Sequence, residues 1–359
     1  WRSVDLICGV MASLPLYTKR KLAGGGLEDA TDHPLYSVLL FRPNPWQTAY
    51  QFKQLMQFWL LVYGRAFALK VKVGGRIVAL NPIHPDRVAV EQNNDFSLVY
   101  RVSRLNGVTS DLTADDILHL RDLSDDGFTG LSRVAKAADD INLAVKSKRA
   151  AERAFTNGMM VGGNLQHPSK LSPDAFERLK ASMAERSGPE NAGKWIVTEE
   201  GMKATPFENK LVDAQNVEMT AALVEDIGRR FGVPRPLLMV DETSWGSGIE
   251  QLAILFVRFG LMPWFRCWED ALNVGCLSRA EWGVVYTDFD ERELLRGTIK
   301  EQFEAFAKAS GAGGHKPWME ANEIRDLSGL APHPDGFGLQ ASGAMKANEQ
   351  AIAAPTSGA

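Results

Sequence analysis

The sequence predicts an α+β chain in which long amphipathic helices frame a β-rich block, and three observations lead there. Short apolar runs between residues 66 and 120 are separated by turn residues, the clearest being Gly74-Gly75. Val134, Ala138, Ile141, Val145 and Phe155 recur at helical spacing. Gln215 to Leu272 writes a helix, a break, a short polar loop and a second, aromatic-rich helix. With 359 residues and 45% hydrophobic content, the chain is large enough to bury a sizeable core in two or three domains.

Residues 4–16 are apolar but interrupted by Asp5 and preceded only by Arg2, a poor secretory signal. The first residue is Trp1 rather than Met, so a natural N-terminal part is expected to precede it. A short element is expected from His33-Pro34 to Phe41, ending at the corner Pro43-Asn44-Pro45. Asn44 is expected to cap the next helix with Pro45 in its first turn. That helix carries Phe52, Leu55, Met56, Trp59, Leu60 and Tyr63 on one broad face. Strands follow at 66–73 and 76–80 around a hairpin turn that tolerates positive φ, then at 87–90, 98–102 and 117–120.

One helix is expected from Ser132 to Asn157, with acids early, cations late and a Gly158 stop. At 1.5 Å per residue its length is roughly 39 Å, which suits a strut. Residues 159–208 read as a small module: a strand near 161–165, a helix opened by Ser172 and Pro173 that buries Phe176, Leu179 and Met183, and strands at 194–198 and 202–207. A helix with Met219, Leu223, Ile227 and Phe231 on one face ends at Gly232-Val233-Pro234. After the polar loop a helix carries Ile249, Leu252, Phe256 and Phe259 toward Trp264 and Trp268, and Pro263 is expected to kink it. Its aromatic stripe reads as core or subunit contact. Further helices are expected at 291–310 and 317–327, before an Ala/Gly/Ser-rich tail.

The formal charge of −4 argues against a surface that grips nucleic acid throughout, while permitting a channel that lets phosphate pass without tight capture. Three scattered cysteines without a CxxC pair form no disulfide framework and point to a reducing compartment. No apolar run approaches the roughly 18 residues of a membrane span, so no membrane is expected.

Signatures of catalysis are missing: no Walker A pattern, GxGxxG or HExxH occurs. Ser247 is preceded two positions back by Trp245, not the glycine of a nucleophile elbow. The six histidines lie far apart, so no metal and no cofactor are expected. His84 and His119 read as structural, and the pairs Asp115-Asp116 and Asp125-Asp126 as turn or cap residues. Lys146, Arg149 and Arg153 share one helical stripe. The stripe is either a solvated or inter-subunit face, with Glu218, Glu225 or Asp226 opposite, or a line of weak phosphate contacts. Arg229 and Arg230 stand open between the same readings.

Ten short stretches in order resemble the portal family of tailed double-stranded-DNA phages, in the branch shared with gene transfer agents. They are Ala12 to Leu16; His33 to Tyr36 with Pro43 to Pro45; Leu60-Leu61 with Tyr63 to Ala68; and Leu80 to Ile83 with Pro85. Next come Asp126 to Ser132, Phe155 to Gly158, Phe231 to Pro234, Gly246 to Gln251, Leu261 to Trp264 and Asn322 to Arg325. Members usually carry Gly-Asn-Ala-Tyr where this chain has Gly64-Arg65-Ala66-Phe67, and a smaller polar pair where it has Trp245-Gly246.

The resemblance implies a phage portal fold: wing at 1–131, stem helices at 132–158 and 212–232, clip at 159–211, tunnel loop at 233–248, wing return helix at 249–280, crown at 281–340 and a mobile tail at 341–359. It implies a homo-oligomeric ring, typically of twelve subunits, at one capsid vertex of the virion, assembled in the bacterial cytoplasm. Double-stranded DNA would be packaged through it by the terminase large subunit, retained, and ejected through a head–tail adaptor; the major capsid protein would surround it. The DNA-facing tunnel loop would be Asp241, Glu242, Thr243, Ser244, Trp245, Gly246 and Ser247, its acids favouring passage over capture. Channel-lining or inter-subunit stem residues would be Lys146, Arg149, Arg153, Glu225, Arg229 and Arg230, and partner-binding clip residues Glu185, Arg186, Glu190 and Lys194. The rival readings are a metal-dependent nucleic-acid enzyme subunit and a scaffold or adaptor that forms no ring.

Overall fold

The computed structural model describes residues 1–104, 107–156, 163–166, 172–185, 203–206, 210–239, 248–295, 299–312, 316–328 and 330–334. They fall into two compact units, 1–290 and 291–359.

The first unit opens with α1 (Arg2–Ser13), a helix not expected from the sequence, which buries Val4, Ile7, Cys8 and Met11. Strands β1 (Leu16–Lys21) and β2 (Leu27–Asp29) and helix α2 (Pro34–Leu40) lead to α3 (Ala49–Tyr63), which packs along α1. Asn44 does not cap α3. Thr48 does, in a reciprocal box with Gln51 that satisfies two of the helix's open donors. Asn44 is buried instead, donating to Gln47 Oε1 at 2.8 Å and to the Leu80 carbonyl at 3.1 Å, so it fixes the corner to the sheet.

The hairpin forms as expected: β3 (Arg65–Val73) and β4 (Arg76–Ile83) meet at Gly74 and Gly75, whose φ angles are 58° and 80°. Strands β5 (Val88–Gln92), β6 (Leu98–Ser103) and β7 (Thr109–Thr113) form one antiparallel sheet, while β8 (Ile117–Arg121) completes the order β4-β3-β8 in another. Phe67, Val88, Tyr100, Val102 and Ile117 form the shared core. The polar sequence of β7 concealed it from a reading based on apolar alternation.

The helix expected from Ser132 to Asn157 is two pieces, α4 (Arg133–Lys136) and α5 (Ala138–Thr156). Buried Ala137 marks a bend. Hydrogen bonding continues through it, from Ala137 N–H to the Arg133 carbonyl and from Ile141 N–H to the Ala137 carbonyl. Beyond it lie β9 (Gly163–Gln166), α6 (Pro173–Glu185) and β10 (Lys203–Pro206), with β9 and β10 antiparallel. Ser172 opens α6 as expected, accepting from Ala175 N–H at 3.3 Å. Phe176, expected inside, is exposed. The strand expected at 194–198 lies outside the described residues.

Helix α7 (Lys210–Phe231) buries Leu223 and Phe231, and its Met219 stays more exposed than expected. Gly232 then turns with φ 71°. Helix α8 (Gly248–Leu255) passes into a π turn (Phe256–Leu261) and then α9 (Met262–Cys276). The distortion expected from Pro263 thus lies just ahead of it. Proline has no N–H to return to the preceding turn, and widening that turn accommodates the loss. Phe256, Trp264 and Trp268 are core, as expected; Phe259 is not, with 71% of its surface exposed.

Strand β11 (Val285–Phe289) returns to pair antiparallel with β1, Leu16 opposite Phe289. Trp268 lies at the centre of this closure. Its Nε1 donates to Gln57 Oε1 at 2.8 Å, and Phe52 and Phe289 meet its ring edge-on. Buried Lys70 donates to the carbonyls of Ala114 and Gly275 at 2.8 and 2.7 Å, holding the end of α9. The second unit contains α10 (Arg292–Leu295), α11 (Ile299–Ala309) and α12 (Ala321–Leu327), the last opened by a Glu320–Glu323 capping box.

Candidate functional site

The site of interest is the pair α5 and α7 with the connection from α7 to α8. These helices pack side by side. Arg230 Nε reaches Asp140 Oδ2 across the pair at 3.2 Å. Arg229 lies between Asp226 and Glu225 of its own helix, 2.6 Å from each, and Arg235 adds a 3.6 Å contact to Glu225. Three of the proposed stem residues, Glu225, Arg229 and Arg230, therefore have charge partners within one chain. Lys146 and Arg149 are exposed on α5, while the side chain of Arg153 lies outside the described residues. So do loop residues 241–247 and Arg186, Glu190 and Lys194; Glu185 is the last residue of α6.

What holds the pair in place is a joint the sequence reading missed, centred on Arg133. Its guanidinium binds both oxygens of Asp122 at 2.7 and 3.1 Å, donates to the Arg230 carbonyl at 3.3 Å, and stacks 4.5 Å over the Trp264 ring. The Asp122 side chain is 8% exposed and that of Arg133 32%. One planar side chain thus ties the end of β8, the start of α4, the end of α7 and the start of α9. Lysine has no equivalent fork.

The stretch from Asp126 to Ser132 builds the ground for this joint. Asp126 Oδ1 accepts from the Phe128 and Thr129 amides and from Ser124 Oγ, and the backbone donors hold its carboxyl far below the usual carboxylate range. Gly130 and Gly64 touch backbone to backbone: a Cβ on Gly130 would lie 1.8 Å from the Gly64 carbonyl oxygen. Ser132 Oγ caps α4 through Ala135 N–H and donates to the Val62 carbonyl. A second close approach lies at the same end of the pair, just past α7, where a Cβ on Gly260 would meet the Gly232 carbonyl at 2.8 Å.

Other chemistry is subdued. His119 stacks on Phe67 and meets the Tyr100 hydroxyl at 3.3 Å, and burial pulls its pKa down to about 3. Burial pushes the Cys8 thiol up to about 12 and Cys267 and Cys276 up to about 11, which suppresses the nucleophilic thiolate. Asp116 accepts from Thr113 as a turn residue. Among the described residues no group of His, Cys, Asp or Glu is arranged to hold a metal ion, and no helix is long and apolar enough to cross a membrane.

Comparison with known proteins points one way. The family model described as "Phage portal protein" matches residues 1–329. The portal protein of Enterobacteria phage HK97 is 29% identical over 343 residues, covering 94% of this chain and 79% of that protein. Among solved structures, a chain from the neck of an empty gene transfer agent particle, computed with C6 symmetry, superposes with TM-score 0.65 at 23% identity over 92% of this chain and 90% of that one. One from the neck of the native particle, computed with C12 symmetry, gives 0.63 at 22% identity over 92% and 89%.

Proposed function

The chain belongs to the phage portal protein family, and from that premise we propose that copies of it close into a ring, of twelve subunits, at one vertex of a capsid. Double-stranded DNA is packaged through the ring by the terminase large subunit, retained, and released through a head–tail adaptor, with the major capsid protein around it. Helices α5 and α7 line or brace the channel, residues 241–247 face the DNA, and residues 159–211 dock the motor and then the adaptor.

The observation that carries this reading is the match of one family over almost the whole chain, on a fold shared with particle necks. The charges of the helix pair support a passive channel. Arg229 and Arg230 are engaged by carboxylates of their own chain, so the pair offers phosphate less net positive charge than its sequence suggests. Affinity for DNA climbs steeply with each cation engaged, and a conduit must let the duplex slide. In this reading the protein is not an enzyme, and the energy for DNA movement comes from the motor.

Electron microscopy of the purified protein viewed down its symmetry axis tests the proposal. Closed rings with an opening wide enough for a duplex are expected. Monomers or dimers at every concentration would remove it, and metal-dependent cleavage of DNA by the pure protein would favour the nuclease alternative.

A further inference from the structure

We propose that the exposed face of the α8–π–α9 helix of one copy seats in the apolar groove between α1, α3 and the α5–α7 pair of the next, with Phe259 as the anchor. The inference rests on the ring reading above and names the surfaces that close it.

In a cyclic ring each contact is heterologous, so a subunit must carry two different surfaces that fit each other. Unit 1 carries one of each shape. The concave one is a groove of about 480 Å³ floored by Phe58, Val62, Ile141, Ile227 and Phe231. Val145, 42% exposed, stands at its margin. A second hollow of about 490 Å³, lined by Asp5 and Trp46, shares Val4 and Phe58 with it.

The convex one lies on the helix that was expected to show a single apolar stripe. One side buries Phe256, Val257, Gly260 and Leu261; the other exposes Ile254, Leu255 and Phe259. Ile254, Leu255 and Phe259 make an exposed apolar patch on a helix whose other exposed side chains include Gln251 and Arg258, the pattern of a contact surface with a polar rim. Shape sets the direction: the patch around Phe259 is convex, and the groove, which Lys148 also lines, is concave. Two identical surfaces could not satisfy this pairing. A neighbour related by rotation can.

The test pairs a cross-link with a disruption. In a chain carrying Phe259→Cys and Val145→Cys, oxidation should give a ladder of covalent oligomers ending at the ring size, while each single variant gives no ladder. Phe259→Asp should lower the fraction of protein in rings at least tenfold with an unchanged circular-dichroism spectrum and melting temperature, because the side chain leaves the fold's own core alone. Rings from Phe259→Asp at the wild-type yield, or wild-type rings whose double-cysteine form gives no ladder, would overturn this inference and leave the portal reading standing. A disulfide formed only within one chain would also overturn it, by showing that the groove is covered from inside. Absence of rings from the unmodified protein would remove both.

Discussion

The frame around Trp268 and the paired helices α5 and α7 are stabilised in opposite ways. The frame completes its own core: Trp268, Phe52, Phe67, Leu60 and Leu120 are inaccessible, and its polar side chains, such as Gln57, are bonded to residues distant in sequence. The helix pair leaves Leu143, Val145 and Met219 exposed, is crossed by the Arg230–Asp140 ion pair, and is anchored by the Arg133 joint at its base. Exposed pairs contribute little on their own. A monomer should therefore have a firm frame and a pair of helices that gains firmness from what it packs against.

That contrast can be broken most severely at its firm end. Trp268→Ala should lower the stability of the frame by about 3–5 kcal/mol, as expected for truncating a buried tryptophan. It also strands Gln57; a urea midpoint that hardly moves would show the frame is not the stable part. Arg133→Met should cost about 2 kcal/mol, less than the roughly 3–5 kcal/mol of breaking a fully buried pair, because the guanidinium is a third exposed. Arg133→Lys should not restore it. Hydrogen exchange should then speed up in α5 and α7 more than in β3 or β8, which sharpens the distinction between joint and frame.

Acid probes the frame through His119. The pKa of His119 is about 3 in the folded protein against an ordinary 6.5, so the unfolded chain takes up this proton first as pH falls. Its contribution is intact above about pH 6.5 and is lost progressively toward pH 3, on the order of a few kcal/mol over that window. His119→Gln should remove this part of the acid sensitivity, read as a flatter urea midpoint between pH 7 and 4.5. Smallest of all, Arg230→Ala should change stability by about 0.2–1 kcal/mol, since Arg230 is about half exposed and Asp140 only partly covered. A larger loss would mean that the pair depends on that ion pair as much as on its joint.

What the sequence made legible was local. The Gly74-Gly75 turn, the Ser172 cap and the apolar face of α3 each declare themselves within a few residues. The missed features depend on distance. Nothing near Asn44 marks its bond to the Leu80 carbonyl, and nothing near Leu16 marks Phe289 as its partner across the sheet. Arg133 looks like any helix-opening cation until Asp122, Arg230 and Trp264 surround it. For the site, family motifs located the helix pair and the loop, while the engagement of Arg229 and Arg230 by nearby acids required the structure.

The wide turn from Phe256 to Leu261 has a geometric consequence of its own. Accommodating one extra residue without lengthening the rod swings everything upstream by about 100°, the angular step of a single residue. Deleting one residue there would restore a regular rod and rotate α8, together with the start of the preceding loop's far anchor, by that same angle. The orientation of the loop's attachment is therefore written in the count of residues in one turn, and insertions or deletions there should be far less tolerated than substitutions.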